Sequence, residues 1–335
     1  MQLRRVPLVT LYLSERCNSR CISCDYWRHG RADLDLETVS RLLGSFERLG
    51  TQVVLLSGGE PLLNPQWAQI AELLRRQGLK LWLLTSGLSL AKHAQRAATL
   101  FDAITVSMDG TSREAYAEIR GVDAFDVVCR GVRAAVAAGS PVTLRVTLQR
   151  GNFRQLPSFV DLGRQLGVAH ISFLAIDVAS SHAFSRQNGF MADLALRPQD
   201  LPELERLLSA LEREHAEAFD TGFIAETPEK LRRRILRYFT AVCGLGPYPP
   251  VRCNAPEFSA VIDARGQVSP CFFIQGPPEA MVADDLEGVL NGDRMIALRD
   301  AIRSGTRAEC SRCVCSMWRD LREPAADRMP LARSA

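Results

Sequence analysis

Three cysteines near the N-terminus, Cys17, Cys21 and Cys24, fall within the eight residues Cys-Asn-Ser-Arg-Cys-Ile-Ser-Cys. A helix would spread thiolates at this spacing around its surface, and a strand would alternate them between faces. In a loop all three can converge on one point. Three soft ligands without a local fourth suit a four-iron cluster with one iron left open. Structural zinc is usually closed by four ligands. The spacing gives a metal site and leaves the metal open. A second group, Cys243, Cys253, Cys271, Cys310, Cys313 and Cys315, lies at the other end of the chain. Cys129 stands apart in a helical run and reads as a buried apolar side chain.

Ten cysteines in 335 residues are too sparse for a disulfide scaffold, and no secretion signal is visible, so the clusters read as metal-binding or catalytic. Apolar residues make up 47% and charged residues 24%, which predicts a well-buried core. The net charge of +3 offers no footprint for nucleic acid or an anionic membrane surface. No run approaches the roughly 20 apolar residues that span a bilayer. A cytoplasmic protein is expected.

The elements that must position the cysteines follow a regular order. Strands are predicted at 6–13, 52–57, 79–85, 103–108, 142–148 and 169–176. Helical spacing lies between them at 36–49, 67–76, 90–100, 112–119, 125–138 and 155–166. Short connections and strict alternation indicate parallel β/α architecture, either an open doubly wound sheet or an incomplete barrel. Polar residues gather just after the strands, where both architectures build their sites. Residues 178–199 read as a long loop, and 201–213 and 230–242 as helices. In the second helix the basic run Arg232-Arg233-Arg234 is expected to form a solvated face, with phosphate binding on a substrate as the minor alternative. The breakers from Gly244 to Pro250 mark a boundary. Beyond it, 258–263 and 267–270 flank Gly266 as a hairpin, and a helix is predicted at 294–302. The expected division is a core at 1–176, a helical linker at 177–249, a cysteine-rich unit at 250–323 and a disordered tail at 324–335.

The cysteine trio after the first strand, Gly58-Gly59-Glu60-Pro61 after the second and Ser107-Met108-Asp109-Gly110 after the fourth come in an order that resembles the radical S-adenosylmethionine (SAM) superfamily. The resemblance covers roughly residues 6–176. It implies an α/β fold, an incomplete (β/α)6 TIM-type barrel. Cys17, Cys21 and Cys24 would hold three irons of a [4Fe–4S] cluster, and the open iron would take the amino and carboxylate groups of SAM. An electron from a flavodoxin- or ferredoxin-type reductant would then cleave the sulfonium and release a 5′-deoxyadenosyl radical. Gly58 and Gly59 would permit close backbone approach to the ligand. Glu60 would compensate the SAM ammonium, and Ser107 and Asp109 would contact ribose or carboxylate. Arg145 would fork onto the SAM carboxylate, a barrel salt bridge being its alternative. Thr85 and Ser86 are similar candidates. The chain departs from the family at Ser23, where many members carry an aromatic residue. Tyr26 and Trp27 are expected either to cover the cluster instead or to pack in the core.

The C-terminal cysteines carry a second resemblance. Cys253, Gly266 and Cys271, followed by Cys310-x2-Cys313, look like the twitch domain, the shortened relative of the SPASM domain. This implies one auxiliary [4Fe–4S] cluster on Cys253, Cys271, Cys310 and Cys313, with a zinc site as the alternative. Cys243 and Cys315 are left over, as substitute ligands or as a hydrogen-atom donor. None of the five histidines has metal-ligand spacing; His170 reads as packed, and His182 could face substrate. The expected protein is a radical SAM enzyme that abstracts hydrogen from a small molecule or a peptide with an oxidative outcome. Epimerisation or rearrangement is the enzyme alternative. A non-catalytic iron–sulfur sensor or electron carrier is the rival from another class, but it would have no need of a SAM pocket. Only sixteen residues precede Cys17, so no leader-binding domain is expected, which tilts the expectation toward a small molecule.

Overall fold

The computed structural model describes residues 2–180, 182–186, 191–282 and 285–320. The β-branched and apolar runs form strands β1 (Leu8–Ser14), β2 (Val53–Gly58), β3 (Lys80–Thr85), β4 (Ala103–Ser107), β5 (Val142–Leu148) and β6 (His170–Ala175). Each pairs in parallel with the next. Helices Leu36–Arg48, Trp67–Arg76, Leu90–Leu100, Phe125–Ala137 and Leu156–Leu166 connect them, as parallel crossovers require. This is the incomplete (β/α)6 TIM-type barrel expected above. Along β1, Val9, Leu11 and Leu13 enter the main core with the helices, which turns Leu8, Thr10, Tyr12 and Ser14 to the inner face.

The hairpin also forms, as β7 (Ser259–Ile262) and β8 (Val268–Ser269), with Gly266 at φ 84° in its turn. Its placement adds to the expectation. β7 pairs in parallel with β1, so a single sheet runs β6-β5-β4-β3-β2-β1-β7-β8 through the barrel and the cysteine-rich region. At the N-terminal end of the inner face, Leu8, Val53 and Trp82 pack with Ala255 and Phe258 in a second, smaller apolar cluster. Cys253 and Met317 lie against it.

The opposite edge stays open. Beyond β6 only Ile224 bridges in parallel to Ile171 among the described residues. Glu226 then places its carboxylate where a neighbouring strand's carbonyl would stand, accepting from Phe173 N at 2.9 Å. The helical stretch from Pro228 to Val242 that follows is interrupted by a π turn at Arg232–Leu236. The expected tail at 324–335 lies outside the described residues.

Candidate active site

The cysteine loop is irregular backbone, and its neighbours hold it from several sides. Arg20 N and Ile22 N donate to Arg120 O (2.9 Å) and Ile119 O (3.0 Å), at the end of helix Arg113–Arg120. Gly59 N and Glu60 N donate to Ser14 O (2.7 Å) and Arg16 O (2.8 Å). Asp25 N donates to Phe184 O at 2.9 Å, and Arg186 Nε to Ser23 O at 2.8 Å. Ser23, where many members of the family it resembles carry an aromatic residue, is therefore fixed through its carbonyl. Burial pushes the Cys17 thiol up to about 11 and that of Cys24 to about 12, and their negative neighbours in the trio add to this. Burial raises Cys21 as well. Thiolates in such a place need a cation.

Arg120 supplies a permanent one. Its side chain is 11% exposed, its Nη1 donates to Asp109 Oδ2 at 3.1 Å, and its charge reaches Cys17 and Cys21. Nothing in the spacing singled it out; the signal available was an arginine closing a helix just before its C-cap glycine, Gly121. Soft donors in a desolvated loop beside a fixed cation suit a thiolate-bound cluster. Among the described residues, no three His, Cys, Asp or Glu side chains close on a point tightly enough for a single ion. A four-iron cluster would spread its ligands over separate irons.

Gly58 and Gly59 make room for this loop. A Cβ on Gly58 would lie 2.6 Å from Ser14 O, and one on Gly59 would lie 2.4 Å from Arg16 O. The close approach is backbone to backbone. Glu60 is 0% exposed and fully engaged. Thr85 Oγ1 donates to both of its oxygens (2.8 and 2.9 Å), Ser86 N to Oε2 (2.7 Å) and Leu62 N to Oε1 (3.1 Å). Burial pushes its carboxyl up against the pull of these donors. Ser86 Oγ donates onward to Asn18 Oδ1 at 2.9 Å, so Thr85 and Ser86 tie β3 to the cysteine loop through Glu60 and Asn18.

Asp109 is likewise committed, to Arg120 and to Thr147 N at 2.8 Å. Ser107 ends β4 in register with Arg145 on β5. Arg145 is 8% exposed, and its Nε and Nη2 are buried without a partner. Burial pulls its pKa down, opposed by the charges of Glu226 and Cys315. The Tyr26 ring meets Tyr12 edge-on at 6.2 Å, and Tyr12 meets Phe272 at 6.3 Å. Trp27 instead lies under Arg28, 4.2 Å from its ring centre.

Five of the six C-terminal cysteines come together. Cys271, Cys310, Cys313 and Cys315 all lie within electrostatic reach of Cys253. Asn254 staples the two segments, its Nδ2 donating to Arg319 O (2.8 Å) and its Oδ1 accepting from Arg319 N (2.9 Å). Cys243 is elsewhere, its Sγ donating to Leu196 O at 3.2 Å. Burial pushes Cys271 up to about 12. His170 Nδ1 lies 2.9 Å from Gly222 O, a packed and bonded ring as expected, and His182 is half-buried.

Comparison with known proteins bears directly on these two thiol sets. The model of the radical SAM superfamily matches residues 11–162, and that of the SPASM iron–sulfur cluster-binding domain matches 253–314. A GTP 3′,8-cyclase of Stenotrophomonas maltophilia (strain K279a) is 31% identical over 232 residues, 65% of this chain and 68% of the relative. The chain belongs to the radical SAM superfamily. It is therefore a radical SAM enzyme, with a SAM-binding [4Fe–4S] cluster and an auxiliary iron–sulfur cluster as its cofactors. A probable GTP 3′,8-cyclase of Methanopyrus kandleri is 34% identical over 164 residues, 47% of this chain and 53% of the relative. The chain thus spans about half the length of some curated relatives. Among solved structures, SuiB of Streptococcus suis bound to the precursor peptide SuiA superposes with a TM-score of 0.64 at 16% identity, over 90% of this chain and 68% of SuiB. The enzyme anSMEcpe with bound AdoMet and a peptide gives 0.63 at 17%, over 87% and 82%. At these identities the likeness is one of fold.

Proposed function

We propose that Cys17, Cys21 and Cys24 hold the SAM-binding cluster, and that Cys253, Cys271, Cys310 and Cys313 hold the auxiliary one. The substrate, a small molecule or a peptide, would lie between them and lose a hydrogen atom in an oxidative modification. The observation that carries this reading is the placement of the two thiol sets. One follows the C-terminal end of β1, Cys253 of the other packs against the apolar cluster that includes Leu8 at that strand's beginning, and the charges of both Cys24 and Cys271 reach Tyr12. Bound there, the cluster and SAM supply a 5′-deoxyadenosyl radical.

The chain's own residues do the rest. The unpartnered nitrogens of Arg145 are suited to fork onto the SAM carboxylate, with Ser107 alongside. Glu60 is enclosed and held by three donors, Leu62 N, Ser86 N and the Thr85 hydroxyl, so we assign it to holding the Gly58–Pro61 loop rather than reaching the ammonium. Asp109 acts through Arg120, as a positioning residue for the trio. Tyr12, Tyr26, Phe184 and Phe272 enclose the space and exclude water. A flavodoxin- or ferredoxin-type reductant and a cytoplasmic setting belong to this reading. Among the described residues no helix is long and apolar enough to cross a membrane.

A second reading, a radical rearrangement, is favoured by the cyclase named for the S. maltophilia relative. Anaerobic reconstitution with SAM and dithionite tests the shared core of both. 5′-Deoxyadenosine is expected, with roughly eight irons per chain for two four-iron clusters, falling by about half when Cys17, Cys21 and Cys24 become Ala. Zinc without iron, or intact clusters without SAM cleavage, would overturn it. Transfer of deuterium from a labelled substrate into 5′-deoxyadenosine that remains in the nucleoside marks irreversible abstraction, and its return to product marks rearrangement.

A further inference from the structure

A cleft of about 570 Å³ opens beside the cysteine loop, and the reading above does not use it. Among the described residues it is bordered by Cys17, Asn18 and Arg20 of the loop and by Trp27, Arg28 and Arg31 just after it. Cys17 is thus the member of the trio that lines it. Arg20, Arg28 and Arg31 are exposed, and no carboxylate is among the described residues at the border. Two of these guanidinium groups lie over the Trp27 ring, that of Arg28 4.2 Å and that of Arg20 6.0 Å from its centre. Ile22, between the second and third cysteines, is 43% exposed and puts an apolar spot on the same loop.

The carboxylates nearest in sequence do not cancel this charge. Asp25 pairs with Arg28 at 2.9 Å, but Glu15 pairs with Arg265 at 2.6 Å and Asp33 with Arg16 at 2.5 Å, neither of which borders the cleft. Three arginines of the rim therefore stand against one carboxylate, Asp25. Their tips lie in water rather than in a desolvated niche, the Arg28 side chain being 55% exposed. Charges so placed hold a single small anion weakly. Together they steer and orient a partner surface of opposite sign.

We propose that this cleft is the docking face for the electron donor, a small acidic flavoprotein of the flavodoxin type. The proposal rests on the reading of Cys17, Cys21 and Cys24 as ligands of the SAM-binding cluster. The donor's carboxylates meet Arg20, Arg28 and Arg31, and the edge of its flavin meets Trp27 and Ile22 beside Cys17. An apolar ring edge matches these two side chains better than the cysteine-bound centre of a ferredoxin does. The fully reduced flavin gives up one electron and keeps its proton, and the cluster on the trio takes that electron.

Calorimetric titration of the anaerobic holoenzyme with oxidised flavodoxin, and separately with oxidised ferredoxin, tests it. One-to-one binding of flavodoxin is expected at about 50 mM salt, weakening by about tenfold or more at about 300 mM. Arg31→Glu and Arg28→Gln should each weaken it at low salt by about fivefold or more, and Arg31→Lys should retain it. Arg206→Glu makes the same change of charge on the exposed side of helix Leu201–Glu214 and should leave binding unchanged. Iron content should be unchanged in all four variants. 5′-Deoxyadenosine formation driven by reduced flavodoxin should fall in step with affinity. Formation driven by excess dithionite, too small to need a docking face, should stay within about twofold of wild type. The docking face is refuted if flavodoxin does not bind, if Arg31→Glu weakens it no more than Arg206→Glu, or if ferredoxin binds more tightly. Wild-type protein that forms no 5′-deoxyadenosine even with dithionite refutes instead the reading of the trio, whatever the titration shows.

Discussion

Glu60 gives the sharpest test of how the site is held together. Its Oε1 accepts from Leu62 N and its Oε2 from Ser86 N, with Thr85 Oγ1 donating to both. In Glu60→Gln the side chain keeps its shape but offers one carbonyl oxygen in place of two. Whichever way the amide is turned, its NH2 faces a backbone N–H that also needs an acceptor. One charge-assisted bond is lost and a buried donor is stranded, a cost of about 2–4 kcal/mol. For a chain of 335 residues that corresponds to a fall in the unfolding midpoint of about 3–6 °C. Thermal unfolding by circular dichroism, paired with equilibrium binding of SAM to the reconstituted protein at 10 °C, separates the two roles Glu60 could play. If it holds the loop, the midpoint falls and SAM affinity in the folded protein changes by less than about threefold. A midpoint within 2 °C of wild type, together with a loss of about tenfold or more in SAM affinity, would refute the reasoning and return Glu60 to direct contact with the ammonium.

Three further outcomes follow from the same geometry. Arg120→Met leaves Asp109 buried without its cation and should destabilise the protein by about 3–5 kcal/mol, read by chemical unfolding of the apo protein, with poor iron retention at the trio. Cys243→Ala should leave iron content and SAM cleavage at wild-type values, because its thiol bonds to Leu196 O and stands apart from the other five; loss of iron would contradict that placement. His93 packs edge-on against Trp67, and burial, then Lys92, lowers its pKa. The folded state therefore binds fewer protons than the unfolded chain just below pH 6.5, so stability is present above that pH and falls as pH drops. His93→Phe should flatten the decline in unfolding midpoint between pH 7 and 5, and an unchanged slope would show that His93 is not its source.

The parts of this architecture that depend on local signals were readable from the chain. The six parallel strands announce themselves because each is a short apolar run, and the trio falls after the first because irregular backbone must follow a strand end. Cys129 is buried, as its place on an apolar helix face requires. What was not readable is what crosses the sequence. Arg120 lies ninety-six residues beyond Cys24 and enters the site through helix Arg113–Arg120 (120 − 24). Arg186 reaches Ser23 from the loop after β6, and β7 finds its partner in β1 across most of the chain. The type of Gly58 and Gly59 signals close backbone approach, but not that the atoms nearest a Cβ there belong to Ser14 and Arg16. Residue type fixed the need for space, and only the fold decides what fills it.

The pairing of β7 with β1 also constrains how such a chain can change. The seven residues of β1 reach from the apolar cluster around Cys253 to the lip of the cysteine loop, roughly 20 Å at about 3.3 Å per residue. On the proposed ligand sets, the length of β1 would help to set the interval between the two clusters. Substitutions along its outer face are paid for in packing alone. Insertion of one residue would turn Tyr12 away from the inner face, and insertion of two would restore the face but move the centres about 7 Å further apart. Drift in this lineage is therefore expected as exchange of side chains at constant β1 length, with insertions and deletions confined to the loops between the helices.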